Sequence, residues 1–244
     1  MKKWYRFGMI ILLAVVGFSV FMVYRELRIQ QREKKDFQEL REMAYGKGNV
    51  QRSKSIEKFH EKKRNLLTLQ EKNSDCVGWL YISDTQINYP VMHTPCEPQK
   101  YLNKNFDGAY SYSGIPFLDG RCELDSDNLI FYGHNMNNGT MFADVMKYAE
   151  RDYFVKHQTI VFETLTECRE YVIFAVMKTG TADNWYYFIN AGIPEAYDEF
   201  VERAKMKSLY DTEVTPIYGK QILTLSTCTN RGKEERFLIA AVKK

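Results

Sequence analysis

The hydrophobic and polar positions divide the chain into three stretches of different texture. The first contains an uninterrupted apolar run, residues 7–24, whose eighteen residues FGMIILLAVVGFSVFMVY carry no charge. A helix that crosses a bilayer needs about 20 mostly apolar residues, and Trp4, Tyr5 and Tyr24 place aromatic side chains at both ends of the run. The pattern therefore predicts a single-pass membrane anchor over residues 1–25.

A cleaved signal peptide is the alternative for this segment, because it has the same basic start. The apolar core of a signal peptide is usually about 7–15 residues long and precedes a small-residue cleavage site. The run here is longer and no A-x-A-like site follows it, which favours an uncleaved anchor. Orientation does not follow from charge, since several bases flank the far side of the run and would favour a cytoplasmic body: Arg25, Arg28, Arg32, Lys34 and Lys35.

The second stretch, residues 26–74, is rich in charged residues. Apolar residues recur in it at loosely helical intervals, as do Leu27 and Leu40 before the glycines at 46 and 48, and Ile56 and Leu69 after them. We predict two amphipathic helices that link the anchor to the rest of the chain. Their charged residues are interpreted as a solvated face, with partner binding as the alternative.

The third stretch, residues 75–244, consists of short apolar runs rich in aromatic and β-branched residues, which are typical of strands. Turn dipeptides such as Asp107-Gly108 and Asp119-Gly120 separate them. The pattern predicts strands at 78–82, 87–92, 115–119, 128–134, 159–164, 169–178, 221–228 and 236–243. Many short strands with few helices favour a mainly β fold, a closed or nearly closed β-barrel.

Two helical segments interrupt these strands, at residues 140–149 and 194–208. The second begins with Pro194 and Glu195, as helix N-termini prefer, and has apolar residues at four-residue spacing up to Ala204. The sequence therefore predicts a helix inserted just before the strand at 221–228.

Composition and charge exclude several classes of protein. The 244 residues include 15 Phe, 17 Tyr and 3 Trp, so a packed core is expected rather than disorder. The 34 basic residues include Lys2, Lys3 and Arg6 in an N-terminal segment without acids, so 31 basic residues balance 31 acidic residues after Tyr24. This neutral body excludes nucleic-acid binding through phosphate contacts. The five cysteines contain no C-x-x-C pair, so neither a zinc ribbon nor a thioredoxin-type site is indicated.

Three side chains of different chemistry each lie at the end of a predicted strand. Cys228 ends TLSTC, His134 ends LIFYGH, and Arg236 begins RFLIAAV. Alone, each has a structural interpretation: a buried thiol, a loop imidazole and a strand-edge guanidinium. Together they supply a nucleophile, a proton carrier and a positive charge, which are the groups that acyl transfer through cysteine requires. Of the other cysteines, Cys76 and Cys168 flank predicted strands and Cys96 and Cys122 lie among turn residues, so all four are interpreted as structural or incidental. The histidines at 60, 93 and 157 lie in helical, loop and turn settings and are interpreted as surface or loop residues.

These segments resemble those of the sortases. TLSTC matches the TLxTC signature of that family, LIFYGHNM resembles the strand and loop that carry its histidine, and ERFLIAAVK resembles its terminal strand with arginine. The helix at 194–208 and the helices before residue 75 resemble features of class B sortases. The likeness covers residues 75–244 well and the preceding linker only in character.

The resemblance implies an eight-stranded β-barrel and a cysteine transpeptidase on a Gram-positive cell surface. Cys228 would attack the carbonyl after threonine in a C-terminal sorting motif of the NPQTN-like or PxTG-like type and form a thioester. His134 would protonate the leaving amine and later deprotonate the acceptor, and Arg236 would stabilise the oxyanion. The implied partners are surface proteins with a sorting signal and an amine of a peptidoglycan precursor, cross-bridge or pilin. No metal or organic cofactor is implied, and the catalytic domain would be extracellular.

Three residues next to the implied triad are predicted to support it or to contact substrate. Tyr132 and Ser226 precede His134 and Cys228 by two residues, so each points to the same face of its strand as its catalytic neighbour. Thr227 is adjacent to the nucleophile and is a candidate hydrogen-bond donor to the acyl intermediate.

Two other functions remain open from the sequence. A membrane-anchored cysteine endopeptidase would use the same acyl-enzyme and release it to water, although papain-like enzymes place the cysteine before the histidine. A non-catalytic binding module displayed on the surface would need none of the three groups.

Overall fold

The computed structural model describes residues 2–46, 65–229 and 234–244. It divides into two compact units, Met1–Leu40 and Arg41–Lys244. Gly48, Ile56 and His60, which were assigned to the helical linker from the sequence, lie outside the described residues.

One long helix, α1, runs from Lys2 to Tyr45, so the apolar run and the first linker segment are continuous. It is the one helix among the described residues that is long and apolar enough to span a membrane. Gly46 ends it with a left-handed φ of 79°, which a residue without Cβ adopts at little cost, and its N–H donates to the carbonyl of Glu42 at 2.9 Å.

Eight strands form a closed barrel in the order β1-β2-β3-β4-β7-β8-β6-β5. The pairs β2–β3 and β4–β7 are parallel and the other pairs are antiparallel. The strands are β1 Cys76–Tyr81, β2 Asn88–Met92, β3 Phe117–Leu118, β4 Asn128–Tyr132, β5 Thr159–Glu163, β6 Cys168–Gly180, β7 Ile222–Cys228 and β8 Glu235–Lys243.

The barrel encloses a continuous apolar core. Strands β4, β7 and β8 are buried on both faces over most of their length, which explains why their sequences are near-continuous apolar runs rather than alternating ones. Residues without any exposed surface include Leu129, Phe131, Ile173, Leu225 and Ile239. Burial of such side chains is the main favourable term of folding and holds the strand ends in place.

Several short helices lie in the connections before and between the strands. They are α2 Leu66–Lys72, α3 Arg151–Lys156 and α4 Pro194–Lys207, with short 3₁₀ helices at Lys100–Leu102, Ala143–Ala149 and Asn184–Tyr187. Helix α4 packs its buried Phe200 against Phe188 and Trp185, with ring centroids 3.8 and 4.0 Å apart. This aromatic contact joins α4 to the 3₁₀ helix Asn184–Tyr187 and the residue after it within the segment between β6 and β7.

All eight predicted strands are present, and the inserted helix before β7 is confirmed. The boundaries differ where local chemistry stops the ladder. Strand β3 has only two residues because Pro116 lacks an N–H and the turn at Asp119 follows at once. The segment predicted as a helix at 140–149 is a 3₁₀ helix that begins at Ala143, and α3 was not predicted.

Candidate active site

The fold brings Cys228, His134 and Arg236 to one edge of the barrel. Cys228 is the last residue of β7 and pairs with Arg236 across the antiparallel β7–β8 ladder. His134 lies two residues beyond β4, which runs parallel to β7 with Tyr132 opposite Ser226. Because parallel strands end at the same edge of a sheet, His134 and Cys228 leave the barrel side by side.

The three residues line one groove of about 460 Å³. The residues that line it come from the ends of β4 and β7, from the segments 98–102 and 119–121, and from the segment 181–187. We call the segments 119–121 and 181–187 the 119–121 wall and the 181–187 wall. A groove of this size, open to solvent and carrying a thiol, an imidazole and a guanidinium, is suited to hold an extended peptide for attack on a carbonyl.

Cys228 is exposed at the mouth of a rigid strand. Its carbonyl oxygen accepts a hydrogen bond from Asn135 Nδ2 at 3.2 Å. The hydroxyl of the preceding Thr227 donates to the carbonyl of Gly133 at 2.7 Å. These two bonds tie the nucleophile strand to the loop that bears the histidine.

The other cysteines differ from Cys228 in their surroundings. Burial raises the pKa of Cys76 to about 12 and that of Cys122 to about 11, which keeps both thiols protonated and inert. Cys96 and Cys168 are exposed, but neither belongs to the residues that line the groove.

His134 is held by a backbone carbonyl. Its Nε2 lies 2.9 Å from the oxygen of Leu102, which can only accept, so Nε2 carries the hydrogen in this arrangement. In the neutral ring Nδ1 is then the nitrogen that accepts a proton. The backbone of His134 is also held in place, because the N–H of Phe142 donates to the carbonyl of His134 at 2.8 Å.

Gly133 permits this placement. A Cβ at this position would approach three ring atoms of Phe142 to 2.7, 2.8 and 2.9 Å, closer than atoms can pack. The glycine therefore lets the chain pass over the buried phenylalanine and turn towards the groove directly after β4.

Arg236 is partly exposed at the start of β8, and its Nη1 donates to the carbonyl of Glu235 at 3.1 Å. A guanidinium has five N–H donors and a charge that persists at every physiological pH. Placed opposite the thiol, it can stabilise negative charge that develops on a carbonyl oxygen of a bound peptide.

The three predicted supporting residues also line the groove, and the structure gives each hydroxyl a partner. Tyr132 donates to Asp119 Oδ2 at 2.9 Å, Ser226 Oγ lies 2.9 Å from the hydroxyl of Tyr186, and Thr227 is bonded to Gly133. Direct contact of these residues with substrate stays a prediction.

The residues of the groove that were not predicted from the sequence include Asp119, Arg121 and Tyr186. Asp119-Gly120 was interpreted as a turn only, and the segment of Tyr186 was left unassigned. The pKa of Asp119 is lowered: burial raises it, but hydrogen bonds from the Arg121 side chain and N–H and from Tyr132 outweigh that effect. Burial in turn raises the pKa of Tyr186 to about 12.

Metal binding has no visible site in the parts of the chain that are described. Among residues 2–46, 65–229 and 234–244, no group of three or more His, Cys, Asp and Glu side chains is arranged to hold an ion. The groove residues themselves supply a nucleophile, a proton carrier and a cation.

Comparison with known proteins places these features in one family. The family model described as the Sortase domain matches residues 80–244. Sortase B of Listeria monocytogenes is 36% identical over 180 residues, which cover 72% of each chain. The Staphylococcus aureus sortase B–substrate complex superposes with a TM-score of 0.74 at 26% identity, over 88% of this chain and 97% of that one.

A structure of sortase B complexed with triglycine is similar to the same degree, with a TM-score of 0.74, 26% identity and coverage of 88% and 98%. The resemblance stated from TLSTC, LIFYGHNM and ERFLIAAVK is thereby confirmed, and so is the mainly β, eight-stranded barrel with its N-terminal helix.

Proposed function

The chain belongs to the sortase family of cysteine transpeptidases, and we propose that it cleaves the C-terminal sorting motif of surface proteins after threonine and joins the product to a cell-wall amine. The observation that carries this proposal is the convergence of Cys228, His134 and Arg236 at adjacent strand ends in one groove.

The proposed reaction has two halves. The thiolate of Cys228 adds to the threonine carbonyl carbon, and the resulting oxyanion lies against the guanidinium of Arg236. The C–N bond then breaks as His134 protonates the leaving amine, which gives a thioester. An acceptor amine adds to the thioester while His134 takes its proton, and collapse releases the thiolate and a new amide.

The relatives support the two substrate classes. One similar structure is a sortase B–substrate complex and another is sortase B complexed with triglycine, a peptide with a free amino group. By analogy, a sorting peptide of the NPQTN-like or PxTG-like type would occupy the groove here, and an amine of a peptidoglycan precursor or cross-bridge would be the acceptor.

The N-terminal helix supports the proposed location. Its apolar run at 7–24 would insert into membrane lipid as a single-pass anchor, with residues 26–74 as linker and 75–244 as the catalytic barrel. Since cell-wall amines and sorted proteins lie outside the membrane, the barrel would face the exterior.

The test uses the full-length chain in detergent micelles with quenched peptides that contain NPQTN, SPKTG or LPETG, each with and without triglycine. We expect cleavage of one motif and a new amide with triglycine. Cys228→Ala should abolish both, and Cys168→Ala, which removes another exposed thiol, should keep them.

Three outcomes would contradict the proposal. Cleavage without any amide product over a range of amines would indicate a cysteine endopeptidase. Undiminished activity of the Cys228→Ala variant would remove the assigned nucleophile, and absence of turnover with every peptide would favour a surface binding module.

A further inference from the structure

A network of hydrogen-bonded side chains connects several residues that line the groove, and it begins at Asp119. This carboxylate is buried, with 8% of the residue exposed, and both of its oxygens accept hydrogen bonds. Oδ1 accepts from the N–H and Nε of Arg121 at 3.0 and 2.9 Å, and Oδ2 accepts from Nη2 of Arg121 at 2.7 Å and from Tyr132 at 2.9 Å. Four donors thus fix the carboxylate and orient the guanidinium as a two-pronged fork.

Arg121 connects the two walls of the groove. Its Nη2 also donates to the carbonyl of Tyr186 at 2.8 Å, so a residue of the 119–121 wall holds the backbone of the 181–187 wall. The residues lie 65 positions apart in the chain and share no strand. The guanidinium side chain itself is 49% exposed, and an ion pair this exposed stabilises a fold only slightly.

Tyr186 in turn contacts residues of β4 and β7 that line the groove. Its ring stacks on Tyr132 with centroids 6.2 Å apart, and its hydroxyl lies 2.9 Å from Ser226 Oγ, two residues before Cys228. The next residue, Tyr187, also lines the groove and has 72% of its surface exposed, so this wall presents an aromatic side chain to an incoming peptide.

We propose that Asp119 and Arg121 form a strut that positions the 181–187 wall and thereby sets the width of the peptide groove. This inference rests on the proposed function, since it names what determines peptide affinity in that same groove. Neither residue touches the thiol or the imidazole among the contacts described, so both are positioning residues.

The strut has a distinctive kinetic consequence. If it is removed, the 181–187 wall occupies its binding-competent position only part of the time, and the apparent affinity for peptide falls by that fraction. Saturating peptide restores the competent position, so kcat is retained while KM rises. A residue that only stabilised the fold would instead lower Tm and leave KM unchanged.

The experiment compares Arg121→Met with the matched control Lys147→Met in the full-length chain. Lys147 likewise pairs a half-exposed cation with a buried carboxylate, Asp144, at 2.8 Å, but neither residue lines the groove. We expect Arg121→Met to raise the peptide KM about tenfold with kcat within about twofold. Lys147→Met should leave both constants unchanged.

Two further measurements distinguish a strut from a simple charge effect or a general loss of stability. Arg121→Lys keeps the charge beside Asp119 but cannot hold two carboxylate oxygens and Tyr186 at once, so it should restore KM only in part. Hydrogen exchange without substrate should show faster exchange in residues 181–189 of Arg121→Met, with strands β4, β7 and β8 unchanged.

Several results would overturn the inference. An unchanged KM, a loss of kcat at unchanged KM, or unchanged exchange at 181–189 would each refute it, and so would faster exchange throughout the barrel. If the wild-type chain turned over no peptide, the proposed function would fail, while the exchange measurement would still decide whether Arg121 holds the wall.

Discussion

Gly133→Ala tests whether the path of the chain behind His134 is as restricted as the structure indicates. The added methyl group would lie 2.7 Å from Cγ of Phe142, whose ring is buried with no exposed surface. Since neither the ring nor the strand can move freely, we expect an overpacking cost of about 1–3 kcal/mol. For a chain of this size, that corresponds to a fall in Tm of roughly 2–12 °C.

The same substitution should impair activity beyond its effect on stability. Gly133 accepts the Thr227 hydroxyl bond at 2.7 Å and its N–H donates to the carbonyl of Ser226 at 3.3 Å, so a shift of Gly133 displaces the neighbours of both Cys228 and His134. Because misplacement of reacting groups by about 1 Å can cost on the order of 10²-fold, we expect kcat/KM to fall at least about tenfold.

The assay is thermal unfolding and peptide turnover of the full-length variant, with Gly180→Ala as control. A Cβ at Gly180 would meet only the Glu234 carbonyl, at 3.9 Å, so that variant should retain Tm and activity. Adding Phe142→Leu to Gly133→Ala should recover part of the loss, because a smaller side chain relieves the clash. Wild-type Tm and turnover in Gly133→Ala would refute this reasoning.

Two other predictions follow from the pKa directions. With a pKa of about 12, Cys76 is a thiolate in about one molecule in 10⁴ at pH 8. Iodoacetamide should therefore label the exposed Cys228 in the native chain and Cys76 only after unfolding. Equal labelling of the two cysteines, measured by peptide mass mapping, would contradict this prediction. The pKa of Asp183 is lowered to about 2, since burial raises it but bonds from Lys207 and the Trp185 N–H outweigh that effect. The folded pKa of Asp183 lies below its unfolded pKa, so its contribution to stability is present above pH 3.8 and is lost as pH falls through about 2. Asp183→Asn should therefore lower Tm at pH 7 but not near pH 2. A Tm difference that persists near pH 2 would refute this prediction.

The strands and the three reacting groups could be predicted because they have strong local signals. Apolar runs such as NLIFY and ILTLS identify buried strands. Strand ends followed by polar loops identify an exposed position for Cys228 and a partly exposed one for His134. The pairing of β4 with β7 could not be predicted, since a run that is apolar on both faces does not reveal its neighbour or its direction.

The contacts among Asp119, Arg121 and Tyr186 had no local signal in the sequence. Asp119, Arg121 and Tyr186 meet only through the tertiary fold, and Asp119-Gly120 alone indicates an ordinary turn. The partner of His134 is the carbonyl of Leu102, and a backbone acceptor leaves no trace in residue type. The 3₁₀ geometry of Ala143–Ala149 could likewise not be predicted, because the spacing of apolar residues over so short a segment does not distinguish a 3₁₀ helix from an α-helix.

The most direct test of the central claim is a search for the acyl-enzyme on Cys228. Full-length chain would be mixed with the cleavable sorting peptide without any amine, quenched in acid within seconds, and analysed by intact mass and peptide mapping. We predict an adduct equal to the peptide up to and including threonine, attached to Cys228, discharged by triglycine and absent in Cys228→Ala. An adduct on another residue, or turnover of peptide without any adduct, would contradict the account.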